Sequence, residues 1–189
     1  MFRAIILILF FYKRKCLSWL KREHIKYNGF SVIFAFPQSK ISIGAGTTIN
    51  SGFFSNLIGL YQRMIIVARH GGNVKIGERC GLSGSTIYAM SSIEIGDETL
   101  VGGNVKIIDN DFHPLEAEKR IQNAASDIKK APIKIGKRCF IGANSIILKG
   151  SEIGDNCVVG AGAVVAGKFP AHCIIAGNPA RVIKENHDC

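Results

Sequence analysis

The hexads IGKRCF (135–140), IGANSI (141–146), ILKGSE (147–152), IGDNCV (153–158), VGAGAV (159–164) and VAGKFP (165–170) follow one another in a single phase with nothing inserted. Their first position is always β-branched: Ile135, Ile141, Ile147, Ile153, Val159 and Val165. A branched aliphatic every six residues suits a short strand that puts one bulky side chain into a narrow interior. The fifth position is small at Cys139, Ser145, Ser151, Cys157 and Ala163, with Phe169 the exception. A small residue there lets the chain turn a corner without overfilling the core. Glycine or alanine follows the leading aliphatic at Gly136, Gly142, Gly154, Gly160 and Ala166, where close backbone packing is expected.

The same grammar extends upstream with interruptions, in IGERCG (76–81), LSGSTI (82–87), IGDETL (95–100), VGGNVK (101–106) and IIDNDF (107–112). A weaker coil reads IGAGTT (43–48) and INSGFF (49–54). Sandwich strands do not recur at a fixed six-residue phase, so the pattern favours a solenoid over a β-sandwich. Three hexads make one triangular coil, and stacked coils bury a continuous core. The expected fold is all-β, a parallel β-helix over residues 31–175 with short helices at both ends. An apolar, basic helical segment is expected over 1–30, an extruded loop over 109–132, and a turn and short helix over 176–189.

Hydrophobic residues make up 47% and charged residues 20%, a globular balance and not that of a disordered chain. The net charge of +10 favours an anionic partner. No RNA- or DNA-binding motif accompanies the basic clusters, so nucleic acid is not expected as that partner. The six cysteines lack paired metal spacing and read as reduced core thiols of a cytosolic protein. Near the N-terminus, the apolar run Ala4–Tyr12 precedes Lys13-Arg14-Lys15. The run is too short to span a bilayer and lacks a cleavage site. It fits a helix packed on protein, or one lying on a membrane with residues 1–26 near anionic headgroups.

The repeat resembles the hexapeptide-repeat acyltransferase family, and within it the bacterial polysaccharide and sugar O-acetyltransferases. The resemblance implies a left-handed β-helix, acetyl-CoA as acyl donor, no metal, and a homotrimer with active sites between subunits. It also implies a role for the largest interruption, 109–132, which opens Asp109-Asn110-Asp111-Phe112-His113-Pro114 at the end of a coil. In similar enzymes a His in such a loop is the general base on the acceptor hydroxyl, and His113 matches it. A neutral imidazole with a pKa near about 6.5 can take that proton and return it to the leaving thiolate. Asp109 and Asp111 are candidates to orient the ring or touch the sugar, with solvated charges or partners of Lys119 and Arg120 as the plainer reading.

By the same resemblance Ser83 lies where relatives contact the acceptor. Phe140 precedes the Ile141-Gly142 pair near the thioester, and the Ala143 N–H polarises the thioester carbonyl. Gly142, Gly160 and Ala161 are expected to let the pantetheine arm lie close to the coil. The tail Ala176-Gly177-Asn178-Pro179-Ala180-Arg181 is similar to the family's closing turn, with Pro179 at a first helical position. Arg181, Lys184 and Lys168 are then the candidates for the CoA phosphates. One departure is Ala166-Gly167, where many relatives have Thr-Lys.

The expected function is O-acetyl transfer from acetyl-CoA to a sugar hydroxyl in surface polysaccharide or lipid-linked glycan assembly, in the cytoplasm or at the inner face of the membrane. Two alternatives stand beside it: a xenobiotic O-acetyltransferase with another acceptor pocket, and a non-catalytic structural β-helix. A zinc-dependent β-helix carbonic anhydrase needs three converging histidines. The five here, at 24, 70, 113, 172 and 187, lack that clustering.

Overall fold

The structure, a computed structural model, describes residues 24–122 and 125–185. Its strands form three sheets, A of eight strands and B and C of six each, and successive strands along the chain visit A, B and C in turn. Every neighbouring pair is parallel except the last in sheet A. The architecture is therefore a three-sided parallel β-helix, one strand per sheet in each coil. Its first strand, Lys26–Asn28, precedes the expected start of the solenoid at 31.

The hexad arithmetic appears directly in the register. Ile135 pairs with Ile153 in sheet C, Ile141 with Val159 in sheet A, and Ile147 with Val165 in sheet B. All six side chains are buried and join one continuous core. Each such burial stabilises by roughly 1.5–3 kcal/mol. The small fifth positions Cys139, Ser145, Ser151, Cys157 and Ala163 are buried at the corners. Several also bond corner carbonyls: Ser151 Oγ donates to Val165 O at 3.1 Å and Ser145 Oγ to Gly160 O at 3.2 Å. Serine there satisfies backbone acceptors that an apolar residue would leave unpaired. A Cβ on Gly142 would lie 2.5 Å from Ala161 N in the next coil, which is why that position has none.

Two segments leave the prism. One runs 109–132 at the corner from sheet B to sheet C and carries the short helix Ala117–Gln122. The other, 51–64, replaces the weak INSGFF coil at the corner from sheet A to sheet B. It exposes Phe54 and Leu57 (each 88%) while burying Leu60 and Met64. Lys106 Nζ donates to Gln62 Oε1 at 2.6 Å and holds this insertion down.

The C-terminus differs from expectation. Ala180–Glu185 is a strand, not a helix, and runs antiparallel along Cys173–Gly177. Asn178-Pro179 forms the turn between them, and Pro179 leads into this strand and not into a helix. The return strand pairs a sheet edge that would otherwise expose its backbone groups, and Val182 and Ile183 favour extended structure over helix. The expected N-terminal helix lies outside the described residues, apart from residues 24–30. Among the described residues no helix is long and apolar enough to cross a membrane.

Candidate active site

The extruded loop is rooted by Asp109. Ala68 and Ala89 are register partners at the inner end of sheet B, and the next coil places Asp109 beyond Ile107 on the same inward face. Asp109 is fully buried. Its carboxylate accepts the N–H of Met90 at 2.8 Å and of Ser91 at 2.7 Å, with the Asn110 amide at 3.1 Å. Three donors stabilise a charge that burial would otherwise penalise. Asp109 thus fastens the corner from inside the core, which corrects its expected place beside the imidazole.

Past Asp109 the chain makes a tight turn. Asn110 Oδ1 accepts the Phe112 N–H at 3.0 Å, an Asx turn. Phe112 follows with φ +59°, its ring against Tyr88 at 4.9 Å between centroids. The legs of the loop are tied where Asp111 N–H donates to Lys129 O at 3.1 Å and Ala131 N–H to Asp109 O at 2.9 Å. Asp111 reaches His113 only through its backbone, its carbonyl accepting the His113 N–H at 2.7 Å. Its carboxylate instead takes the Lys149 ammonium at 2.6 Å, while Oδ2 is buried with no partner among the described residues. Neither expected carboxylate orients the ring. His113 is exposed, and it lines a cavity of about 310 Å3 with Arg69, His70, Tyr88, Met90 and Phe112.

Arg69 and His70 were not anticipated from sequence. The usable signal was alignment of hexads: Ala68 pairs with Ala89, so the residues after each strand, Arg69-His70 and Met90, share the corner where the His113 loop leaves.

The thioester candidates sit at the other end of sheet B. Gly142 is buried and Ala143 half-buried at the corner from sheet A to sheet B. Ala143 O accepts the Gly162 N–H at 2.9 Å, whereas the Ala143 N–H donates to no acceptor among the described residues. Phe140, 48% exposed, lies on the adjoining strand between Leu100 and Val158. Gly160 and Ala161 stack one coil further along the same corner, and a Cβ on Gly160 would approach Ala176 at 3.1 Å. Arg181 pairs with Ala176 and so belongs to this edge; Lys184 pairs with Ile174, towards the opposite end of sheet A.

Two candidates fall elsewhere. Lys168 is on sheet C, bound to Glu152 at 2.8 Å, one sheet away from Ala143 and Ala161. Ser83 is 7% exposed beneath the 51–64 insertion. Its hydroxyl accepts from Asn50 Nδ2 at 3.3 Å and Asn56 Nδ2 at 3.2 Å, bonds that serve the fold and leave it no open face. The described cysteines are free and buried in core positions. Cys139 Sγ donates to Gly154 O and Cys157 Sγ to Pro170 O, each at 3.1 Å, and both thiols are buried away from solvent. Among the described residues no three His, Cys, Asp or Glu side chains group as a metal site requires.

A three-sided stack of six-residue rungs is the left-handed parallel β-helix. A family model described as the hexapeptide repeat of succinyl-transferase matches residues 132–166. By that repeat the chain is similar to the hexapeptide-repeat acyltransferase family. It is 40% identical over 126 residues to the polysialic acid O-acetyltransferase of Escherichia coli O1:K1, covering 64% of this chain and 39% of that protein. Among solved structures, the polySia-specific acetyltransferase NeuO shares the fold at a TM-score of 0.67, with 24% identity over 86% of this chain and 64% of its own. A galactoside acetyltransferase in complex with coenzyme A does so at 0.54, with 24% identity over 87% and 66%. The chain spans less than two thirds of the length of the curated relatives it matches.

Proposed function

We propose that this chain transfers an acetyl group from acetyl-CoA to a sugar hydroxyl in bacterial polysaccharide or lipid-linked glycan assembly. The observation that carries the reading is a pair of groups off the two ends of one rigid sheet that have no hydrogen-bond partner among the described residues: the exposed imidazole of His113 and the N–H of Ala143. The E. coli relative named for O-acetylation of polysialic acid and the coenzyme A held by a structural neighbour supply the acceptor and donor classes.

The two groups lie at opposite ends of sheet B, and strands of three to four residues separate them by roughly 10 Å or more. One copy alone does not join them. In the proposed homotrimer, a cleft between copies brings the His113 corner of one to the Ala143 corner of the next. There the neutral imidazole takes the acceptor's hydroxyl proton as the oxygen attacks the thioester carbonyl, whose developing negative charge the Ala143 N–H stabilises. The C–S bond then breaks, the imidazolium returns the proton to the CoA thiolate, and an acetyl ester and CoA leave. The pantetheine arm follows Gly142, Gly160 and Ala161 towards Arg181, which meets the CoA phosphates with Lys184 further out. Residues 1–26 hold the enzyme at the inner face of the membrane beside its acceptor.

The test is CoA release against a panel of glycan acceptors, wild type beside His113→Ala. Loss of a general base lowers the rate by about a hundred- to ten-thousand-fold with the fold retained. Full activity in the variant would end this mechanism.

A further inference from the structure

The cavity shared by His113 has an uneven charge. Among the described residues its lining includes Arg69, His70 and His113 and no Asp or Glu. The acids nearby are already committed, Asp109 to backbone N–H groups of the core and Asp111 to Lys149. Lys130 adds a further cation at the rim, its ammonium donating to Met90 O at 3.0 Å. The Arg69 guanidinium is exposed and stands over the Phe36 ring at 5.1 Å, and it forms no ion pair among the described residues. The ring contact sets the position of the guanidinium and leaves its N–H fork open. Across the cavity Tyr88 and Phe112 offer an apolar wall of the kind that packs on a pyranose face.

From this arrangement we infer that the acceptor is an acidic glycan, whose anionic group binds Arg69 while a neighbouring hydroxyl faces His113. The inference deepens the acetyltransferase reading above and rests on it. A planar guanidinium matches a carboxylate through two parallel hydrogen bonds, and phosphate through the same fork. A neutral sugar would leave the Arg69 guanidinium, with Lys130 at the rim, without a counterpart.

Saturation-transfer NMR titrations of the full chain with glucuronate, glucose 6-phosphate and glucose test the site without needing turnover. Glucuronate is expected to bind about tenfold more tightly than glucose, the scale of one charge-assisted pair. That preference collapses in Arg69→Met and survives in Lys75→Met, an equal charge change on the exposed face of sheet C. Tighter binding of glucose 6-phosphate than of glucuronate, with the same dependence on Arg69, assigns the anion as a phosphate. Equal or absent binding of the three sugars, or a preference that persists in Arg69→Met, overturns the inference. A parallel CoA-release assay separates the two readings: transfer without charge preference removes the anion site alone, and no transfer to any acceptor removes the transferase.

Discussion

Replacing Asp109 by Ala separates a structural carboxylate from a catalytic one, because its two oxygens are held at 2.8 Å by the Met90 N–H and 2.7 Å by the Ser91 N–H. Each backbone donor left without a partner costs about 1–3 kcal/mol, so the pair sets a gross loss of about 2–6 kcal/mol. Two gains oppose it. A buried charge disappears, and the new methyl side chain would extend the inward row of Ala68 and Ala89 that already fills this end of sheet B. The net loss should be about 2–4 kcal/mol. A domain of this size shifts its Tm by about 2–4 °C per kcal/mol, which gives a fall of roughly 5–15 °C. Asp109→Asn keeps the shape and one acceptor and should lose about half as much. Thermal melts by circular dichroism measure both, alongside CoA release well below the melt. An unchanged Tm in Asp109→Ala refutes the fastening role. An unchanged Tm in Asp109→Asn with activity as low as in His113→Ala would return this carboxylate to the chemistry.

Gly142→Val must force two coils apart, since its Cβ would lie 2.5 Å from Ala161 N and 2.6 Å from Val159 O. Its Tm should fall further than that of Asp109→Ala, and a wild-type melt would contradict the close stacking. At the surface, the Glu78 N–H bonds Asp97 Oδ1 at 3.0 Å and Lys137 approaches Oδ2 at 3.4 Å, holding this carboxyl below the usual range. A depressed folded value stabilises above the unfolded value of about 4, and that contribution is lost as pH falls through the folded value. Asp97→Asn should therefore flatten the acid limb of a Tm-against-pH curve below about pH 4; an identical limb in both proteins would rule this out.

The solenoid was legible because its signal is redundant: Ile135, Ile141 and Ile147 each repeat a demand that the next coil makes again at Ile153, Val159 and Val165. The loop carrying His113 was legible as a break in that repetition. The carboxylates were harder to read, because residue type does not encode direction. Strand alternation along Ile107, Ile108 and Asp109 turns the third side chain inward with the first, and that count places Asp109 in the core. Ser83 was misread for a different reason, since the segment that covers it, 51–64, looks like an ordinary weak coil until Leu60 and Met64 are seen to pin it down. At the tail, a motif known from relatives suggested a helix where an unpaired sheet edge took a return strand.

The placement of the candidate groups bears on why a stiff prism suits the proposed chemistry. His113 and Ala143 gain nothing from proximity within one chain, so in the proposed homotrimer their geometry depends on how accurately each corner is held before copies meet. Each corner has its own anchor. Asp109, Asn110 and the paired loop legs fix the imidazole's turn. The glycine-mediated approach of adjacent coils fixes the Ala143 N–H, and the Gly162 N–H bond holds the carbonyl of the same residue. A donor preset in this way needs no reorganisation when charge develops on a carbonyl oxygen, which is where electrostatic stabilisation is largest. Loosening the loop anchor should then lower kcat before it raises KM for the acyl donor, because the groups proposed for the CoA arm lie along Gly142, Gly160, Ala161 and Arg181 and not at the loop.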